Sequence, residues 1–213
     1  MSSSVIVTGG AGYVGSHTVL LLKQQGYDVT VIDDLRNGHK EAVEACGAAF
    51  KEVKLDDQEA VATVFAEVKP VAVVDFAAYL DVGESQREPE KYVQNNLVCF
   101  QNVLDAMVAS GCKLIIKSST QATYGNAKEE FMPLAESYCT VLVDQDPARL
   151  YDEPQCERGT WGGEEVDGAT MFNNFLAGYT QLKGADPLTD AEKKLLHTPF
   201  SIYGLSKLSL IHI

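Results

Sequence analysis

The chain has 213 residues, 46% of them hydrophobic, and a formal net charge of -13. That length and composition suffice for a sizeable core in one or two domains, and no apolar run is long enough to cross a bilayer, so a membrane protein is not expected. The negative balance disfavours general binding to nucleic acid or to an anionic membrane, because phosphates are repelled; any anionic substrate needs a local cluster of donors.

From the N-terminus, Val5-Ile6-Val7 reads as a strand that runs directly into Thr8-Gly9-Gly10-Ala11-Gly12-Tyr13-Val14-Gly15. A strand that turns at once into a helix needs dihedrals that a β-carbon obstructs, and a diphosphate reaches the N–H groups of the turn only where side chains are absent. Gly9 or Gly10 makes the turn, Gly12 admits the diphosphate, and Gly15 lets helix pack on strand. Two glycine spacings fit, one starting at Gly9 and one at Gly10. Val14, His17, Thr18, Leu21 and Leu22 then fall at helical spacing, Gly26 stops the helix, and Val29 to Ile32 form the next strand. Asp33 ends it, about twenty residues after the loop, where an acid hydrogen-bonds an adenosine ribose and repels a 2'-phosphate. NAD is therefore expected rather than NADP, with Arg36 close by as the one feature on the other side.

Further strands are expected at 49–53, 71–76 and 114–117, and a helix at about 90–110 with Tyr92, Leu97, Phe100, Val103, Leu104 and Met107 as its apolar stripe and Gly111 as its stop. Such alternation predicts an α/β fold, a doubly wound parallel sheet of Rossmann type. Ser118-Ser119-Thr120 follows the last of these strands, at the end where open parallel sheets take ligands, and Thr120 is the candidate hydroxyl for holding a reacting oxygen.

Beyond Gly125 the rhythm fails. Over 126–200 acidic residues outnumber basic ones about two to one. A stretch this long with little regular pattern reads as a lid or, preferably, as an acidic insertion with little core. Within it Thr160 to Gly163 reads as loop, 171–182 as helix, and Pro187 to Glu192 as a helix start with Thr189 and Glu192 as a capping box. Cys46, Cys99, Cys112, Cys139 and Cys156 have no metal-binding spacing, and no secretory leader precedes the first strand, so a reducing cytoplasm is the expected compartment and no metal site is expected.

Tyr203-Gly204-Leu205-Ser206-Lys207 follows. On a helix Tyr203 and Lys207 lie one turn apart on the same face, where an ammonium favours the phenolate and fits the tyrosine as a base for a hydroxyl proton.

The glycine loop with Ser16-His17, the run Phe76 to Ser85, the pair Asn95-Asn96, the segment Ser118 to Gly125 and the final Tyr203 to Lys207 together resemble the sugar-nucleotide 4-epimerases of the extended short-chain dehydrogenase/reductase family, over about 4–125 and 200–207. The resemblance implies an NAD-dependent 4-epimerisation of a UDP-sugar such as UDP-glucose and UDP-galactose through a transient 4-keto sugar. It assigns Tyr203 to the C4 hydroxyl proton, Lys207 to the nicotinamide ribose and Thr120 to the C4 oxygen. It further implies that Tyr13 and Val14 touch the diphosphate and that Asp33, Asp34, Leu35, Arg36, Asn37 and Gly38 surround the adenosine ribose. Phe76, Ala77 and Ala78 line the cleft, Asn95 lies near the diphosphate, and Leu55 and Leu80 complete the cofactor set. Lys54 stands where the family usually has an acid beside adenine, and Leu80 where it often has a lysine.

The expected organisation is a cofactor domain over 1–125, the insertion over 126–200, and the start of the catalytic helix over 201–213, with the family's substrate domain missing and the sheet incomplete at its C-terminal side. Leu208 to Ile213 read as one frame of a sequencing-library adaptor, and a homodimer is implied only for a longer chain. Two alternatives stay open: a non-catalytic NAD-binding fragment, and another sugar-nucleotide epimerase or reductase on the same scaffold.

Overall fold

The computed structural model describes residues 3–124, 129, 132–133, 158–183 and 202–209. Its contacts group into two units, Met1–Ala78 with Val98–Ser118, and Tyr79–Leu97 with Ser119–Ile213. The units do not divide at residue 125, since Tyr79–Leu97 and the residues from Ser119 on group together.

The first unit is a parallel sheet of β1 (Ser4–Thr8), β2 (Asp28–Asp33), β3 (Ala49–Glu52), β4 (Ala72–Asp75) and β5 (Ile115–Lys117), in the order β3-β2-β1-β4-β5. Each expected strand is present to within a residue at either end. Both faces are covered, which is why these strands read as nearly continuous apolar runs. Val5, Val7, Val29, Val31 and Val74 pack with Val19 of α1 (Tyr13–Gln24) and Val43 of α2 (Lys40–Ala45). Ile6, Ile32 and Val73 pack on the opposite face with Val61, Val64 and Phe65 of α3 (Gln58–Val68) and Val103, Ala106 and Met107 of α6 (Cys99–Ser110). Each such fully buried side chain contributes about 1.5–3 kcal/mol. Local signals set the helix ends: the Asp57 carboxylate accepts the Ala60 N–H at 3.0 Å to start α3, and Gly111, at φ 77°, ends α6.

Two helices are present as expected, each with a feature that the spacing did not indicate. In α1 the buried face is Gly15, Val19 and half-buried Leu22, whereas Val14 and Leu21 are exposed; close packing at Gly15 rotates the helix away from the face its largest side chains suggest. The helix expected over about 90–110 is present, and it contains a π turn. It runs as α5 (Pro89–Val93), a π turn at Gln94–Val98, and α6. The extra residue in the turn brings Asn96 to a buried position, where its side chain bonds the Tyr79 backbone.

In the second unit, α8 (Ile202–Ser209) packs against α4 (Val82–Arg87), α5, the 3₁₀ turn Gln121–Tyr124 and α7 (Gly168–Lys183). Residues 160–163, expected as loop, belong instead to a hairpin of β6 (Gly159–Trp161) and β7 (Glu164–Val166) that turns at Gly162 and Gly163, both with positive φ. The hairpin seats on α4 so closely that a β-carbon on Gly159 would lie 2.2 Å from the Gln86 carbonyl oxygen. Its turn is tied by the Gly162 N–H donating to Glu90 Oε1 at 2.7 Å. The expected helix is present and begins earlier, at Gly168, because Asp167 accepts the Thr170 N–H at 2.7 Å. Met171 and Phe175 of α7 are fully buried, so this part of the expected insertion has a core. Gly125 and the expected helix start at Thr189 and Glu192 lie outside the described residues.

Glu84 joins α4 to α5, accepting from Lys91 Nζ at 2.5 Å and from the Tyr92 hydroxyl at 2.8 Å. Those hydrogen bonds hold its carboxyl below the ordinary glutamate value of 4.5. A lowered folded value means that its contribution is complete above about pH 4.5 and is lost as pH falls through the lowered value. Glu84→Gln should therefore flatten the acid limb of a melting-temperature profile below pH 5 and leave its slope near neutrality unchanged.

Candidate active site

Strand order reverses between β1 and β4, and open α/β sheets take ligands at the carboxyl ends of strands flanking such a reversal. The glycine turn leaves β1 at this point. Gly9 has φ 66°, and a β-carbon there would lie 2.7 Å from the Ala77 nitrogen in the segment that follows β4. A β-carbon on Gly15 would lie 2.2 Å from the Gly9 carbonyl oxygen, so helix and turn touch backbone to backbone. Gly12 occupies the N-cap of α1 and supplies no side-chain acceptor, which leaves the N–H groups of the first turn, with Tyr13, Val14 and Gly15, suited to an anion.

Asp33 ends β2 beside this turn. Its Oδ2 accepts the Ala11 N–H at 3.0 Å and its Oδ1 the Leu35 N–H at 2.9 Å, with Leu35 in the left-handed region at φ 60°. The carboxylate is thus fixed by backbone donors and keeps lone pairs for two ribose hydroxyls. Arg36 is engaged by Asp34, its Nη2 lying 2.9 Å from Oδ2. Asn37 is exposed, and Gly38 closes the loop on Ala11, where a β-carbon would meet the Ala11 methyl at 2.7 Å. A dinucleotide fits these residues: turn, acid and closing loop meet at Ala11. Phe76 is partly buried against one core cluster and Ala77 and Ala78 are half-buried, while Leu55 packs against the opposite cluster and its carbonyl accepts from Asn102 at 2.8 Å.

The remaining predicted residues belong to the second unit. Leu80 is exposed, and Asn95 donates to the Asn96 side chain at 3.0 Å. Thr120 Oγ1 accepts the Ala122 N–H at 3.3 Å and its carbonyl accepts from the Thr123 hydroxyl at 2.8 Å, which starts the 3₁₀ turn against which α8 packs. On α8, Tyr203 and Lys207 are both buried, at 9% and 3% exposure, consistent with a shared helix face. Three polar residues absent from the predicted set fix that helix. Ser85 Oγ accepts the Tyr203 N–H at 3.2 Å, Ser206 Oγ donates to the Tyr203 carbonyl at 2.8 Å, and Asn96 Nδ2 donates to Ser206 Oγ at 3.1 Å. All three lie inside the motifs named from the sequence; the signal that could have singled them out is a polar side chain at the buried face of a helix. A cavity in this unit, walled by Gln86, Arg87, Arg158, Thr160 and Glu165, contains none of the predicted side chains in its lining.

The sequence profile of the NAD dependent epimerase/dehydratase family matches residues 5–153. The UDP-glucose 4-epimerase of Rhizobium meliloti is 38% identical over 137 residues, covering 64% of this chain and 40% of that protein. The corresponding enzyme of Lacticaseibacillus casei is 42% identical over 134 residues, covering 63% and 40%. Among solved structures, the UDP-glucose 4-epimerase of Brucella ovis in complex with NAD superposes with a TM-score of 0.60 at 33% identity, covering 84% of this chain and 48% of that one. The enzyme of Stenotrophomonas maltophila, with bound NAD and formylated UDP-arabinopyranose, gives 0.59 at 37% identity, covering 63% and 41%. The chain spans about two fifths of the length of the curated relatives it matches.

Gly15→Ala tests the contact between turn and helix. The added carbon has no room beside the Gly9 carbonyl, so isothermal titration with a dinucleotide should show affinity reduced by about tenfold or more, with a lowered melting temperature.

Proposed function

The chain belongs to the NAD dependent epimerase/dehydratase family, and from that membership we propose that it carries the cofactor site and the acid–base helix of an NAD-dependent UDP-sugar 4-epimerase. The observation that carries the reading is Asp33, fixed at the end of β2 by two backbone donors beside a turn that has no room for a β-carbon at Gly9, Gly10 or Gly15.

Asp33 would hold the adenosine ribose hydroxyls, the first turn of α1 at Gly12, Tyr13 and Val14 would hold the diphosphate, and Asp34 to Gly38 would enclose the ribose. Engagement of Arg36 by Asp34 supports NAD over NADP, because a 2'-phosphate would have to displace that carboxylate and approach Asp33. When bound, the nicotinamide supplies a reversible hydride acceptor for carbon 4 of the sugar. Tyr203 takes the proton of the C4 hydroxyl and returns it to the oxygen of the turned 4-keto sugar, Lys207 holds the nicotinamide ribose, and Thr120 orients the C4 oxygen. Inversion follows when the keto sugar presents its opposite face before reduction. The relatives named above, UDP-glucose 4-epimerases, support UDP-glucose and UDP-galactose as the substrate pair. Free thiols at Cys46, Cys99 and Cys112 suit a reducing, cytoplasmic setting, and burial pushes the Cys99 thiol up to about 11, which makes it a poor nucleophile.

Titration should show NAD bound at least about tenfold more tightly than NADP, with Asp33→Asn narrowing that ratio. Tyr203→Phe should lower interconversion of UDP-glucose and UDP-galactose by about a hundredfold or more while NAD affinity is kept. Absence of NAD binding overturns the cofactor assignment, and undiminished turnover in Tyr203→Phe overturns the proton assignment.

A further inference from the structure

Within the first unit, an ion pair that the proposed reaction does not use is buried at the carboxyl ends of three adjacent strands. Asp75, the last residue of β4, is 1% exposed. Its Oδ1 accepts from the Thr8 hydroxyl and from the Ala77 N–H at 3.2 Å, and its Oδ2 accepts from Lys117 Nζ. Thr8 is the last residue of β1, directly before the Gly9 turn; Ala77 is the residue on which that turn rests; Lys117 is the last residue of β5. The ammonium also donates to the Ala77 carbonyl at 3.4 Å and lies 4.6 Å from the centre of the Phe100 ring, with its side chain 15% exposed.

Stability alone is a weak account of such a pair, since desolvating two charges costs about as much as their attraction returns. The location suggests a different account. Asp75 ties β1 to the segment after β4 and so holds the turn in place, but it also sets a negative charge at the root of a turn built to receive a negative diphosphate. Burial of Asp75 weakens the solvent screening of that repulsion.

Resting on the NAD reading above, we propose that Lys117 is the counter-charge that allows this crevice to accept an anionic dinucleotide: it cancels the field of Asp75 while Asp75 braces the strand ends. Lys117 is thus a positioning and electrostatic residue, not one that touches the sugar. The proposal predicts an asymmetry between the two members of the pair. Lys117→Met leaves the carboxylate uncompensated and should weaken NAD binding by about tenfold or more in low salt. Asp75→Asn keeps an acceptor oxygen for the Thr8 hydroxyl and the Ala77 N–H, leaves the cation, and should bind NAD at least as tightly as the parent chain. The double variant should return to within about threefold of it.

The experiment is isothermal titration of NAD into the 213-residue chain and its three variants, with melting temperatures recorded in parallel. If Lys117→Met does not fold, Asp75→Asn and the double variant, which bury no lone carboxylate, decide the matter. Equal losses in both single variants, a loss in Asp75→Asn alone, or a double variant that stays weak would show a brace and no more, and would overturn the proposal. A parent chain that binds no NAD removes the cofactor reading together with this inference, whereas a parent that binds NAD and shows symmetric losses removes only this inference.

Discussion

Steric exclusion at Gly15 and Gly9 is the constraint on which the first unit depends. Where backbone meets backbone, no rotamer can relieve an added carbon, and both β1 and α1 take their positions from that contact. The consequences run outward in order. Helix α1 turns Gly15 and Val19 inward and leaves Val14 and Leu21 in solvent; the turn settles on Ala77; and Ala11 becomes the point at which Asp33, Gly38 and His39 converge, the last through its N–H to the Ala11 carbonyl at 3.0 Å. A short strand of small and β-branched residues thus sets the geometry of a loop some thirty residues further along the chain.

Much of this was legible in the residues because it follows from backbone chemistry. Strands buried on both faces leave a run of valine and isoleucine, and left-handed positions leave glycine at 9, 26 and 111. The π turn at Gln94–Val98 was not legible, since one added residue in a helix changes no periodicity strongly enough to be seen beside a continuing apolar stripe. Nor was the face of α1, because side-chain size points one way and the close approach at Gly15 the other. The hairpin at 159–166 was missed for a third reason: its strands are three residues each, too short for alternation to register, and its two-glycine turn reads as loop on composition alone. Asp75 and Lys117 end runs that read as plain strands, and their pairing across 42 residues has no local signature.

The second unit shows how a polar motif is held by other polar residues. Tyr203 and Lys207 lie on a helix of eight residues, too short to be stable by propensity. It is tied to its surroundings where Ser85 accepts the Tyr203 N–H and Asn96 donates to Ser206, all three polar side chains being buried. Desolvation makes these bonds demanding: a buried amide or hydroxyl that loses its partner costs about 1–3 kcal/mol, so only one rotation of the helix satisfies all of them. The π turn earns its place here by directing the Asn96 amide to Tyr79 and Ser206 at once.

Gly162 and Gly163 differ from Gly159 in one respect that bears on protein engineering. At the tip nothing lies within 4 Å of where a side chain would begin, while at the root a side chain collides with the Gln86 carbonyl. At the tip the limit is therefore backbone conformation, positive φ at both glycines, whereas at the root it is space. Alanine at 162 or 163 would thus cost backbone strain alone, while alanine at 159 would push the hairpin off its seat.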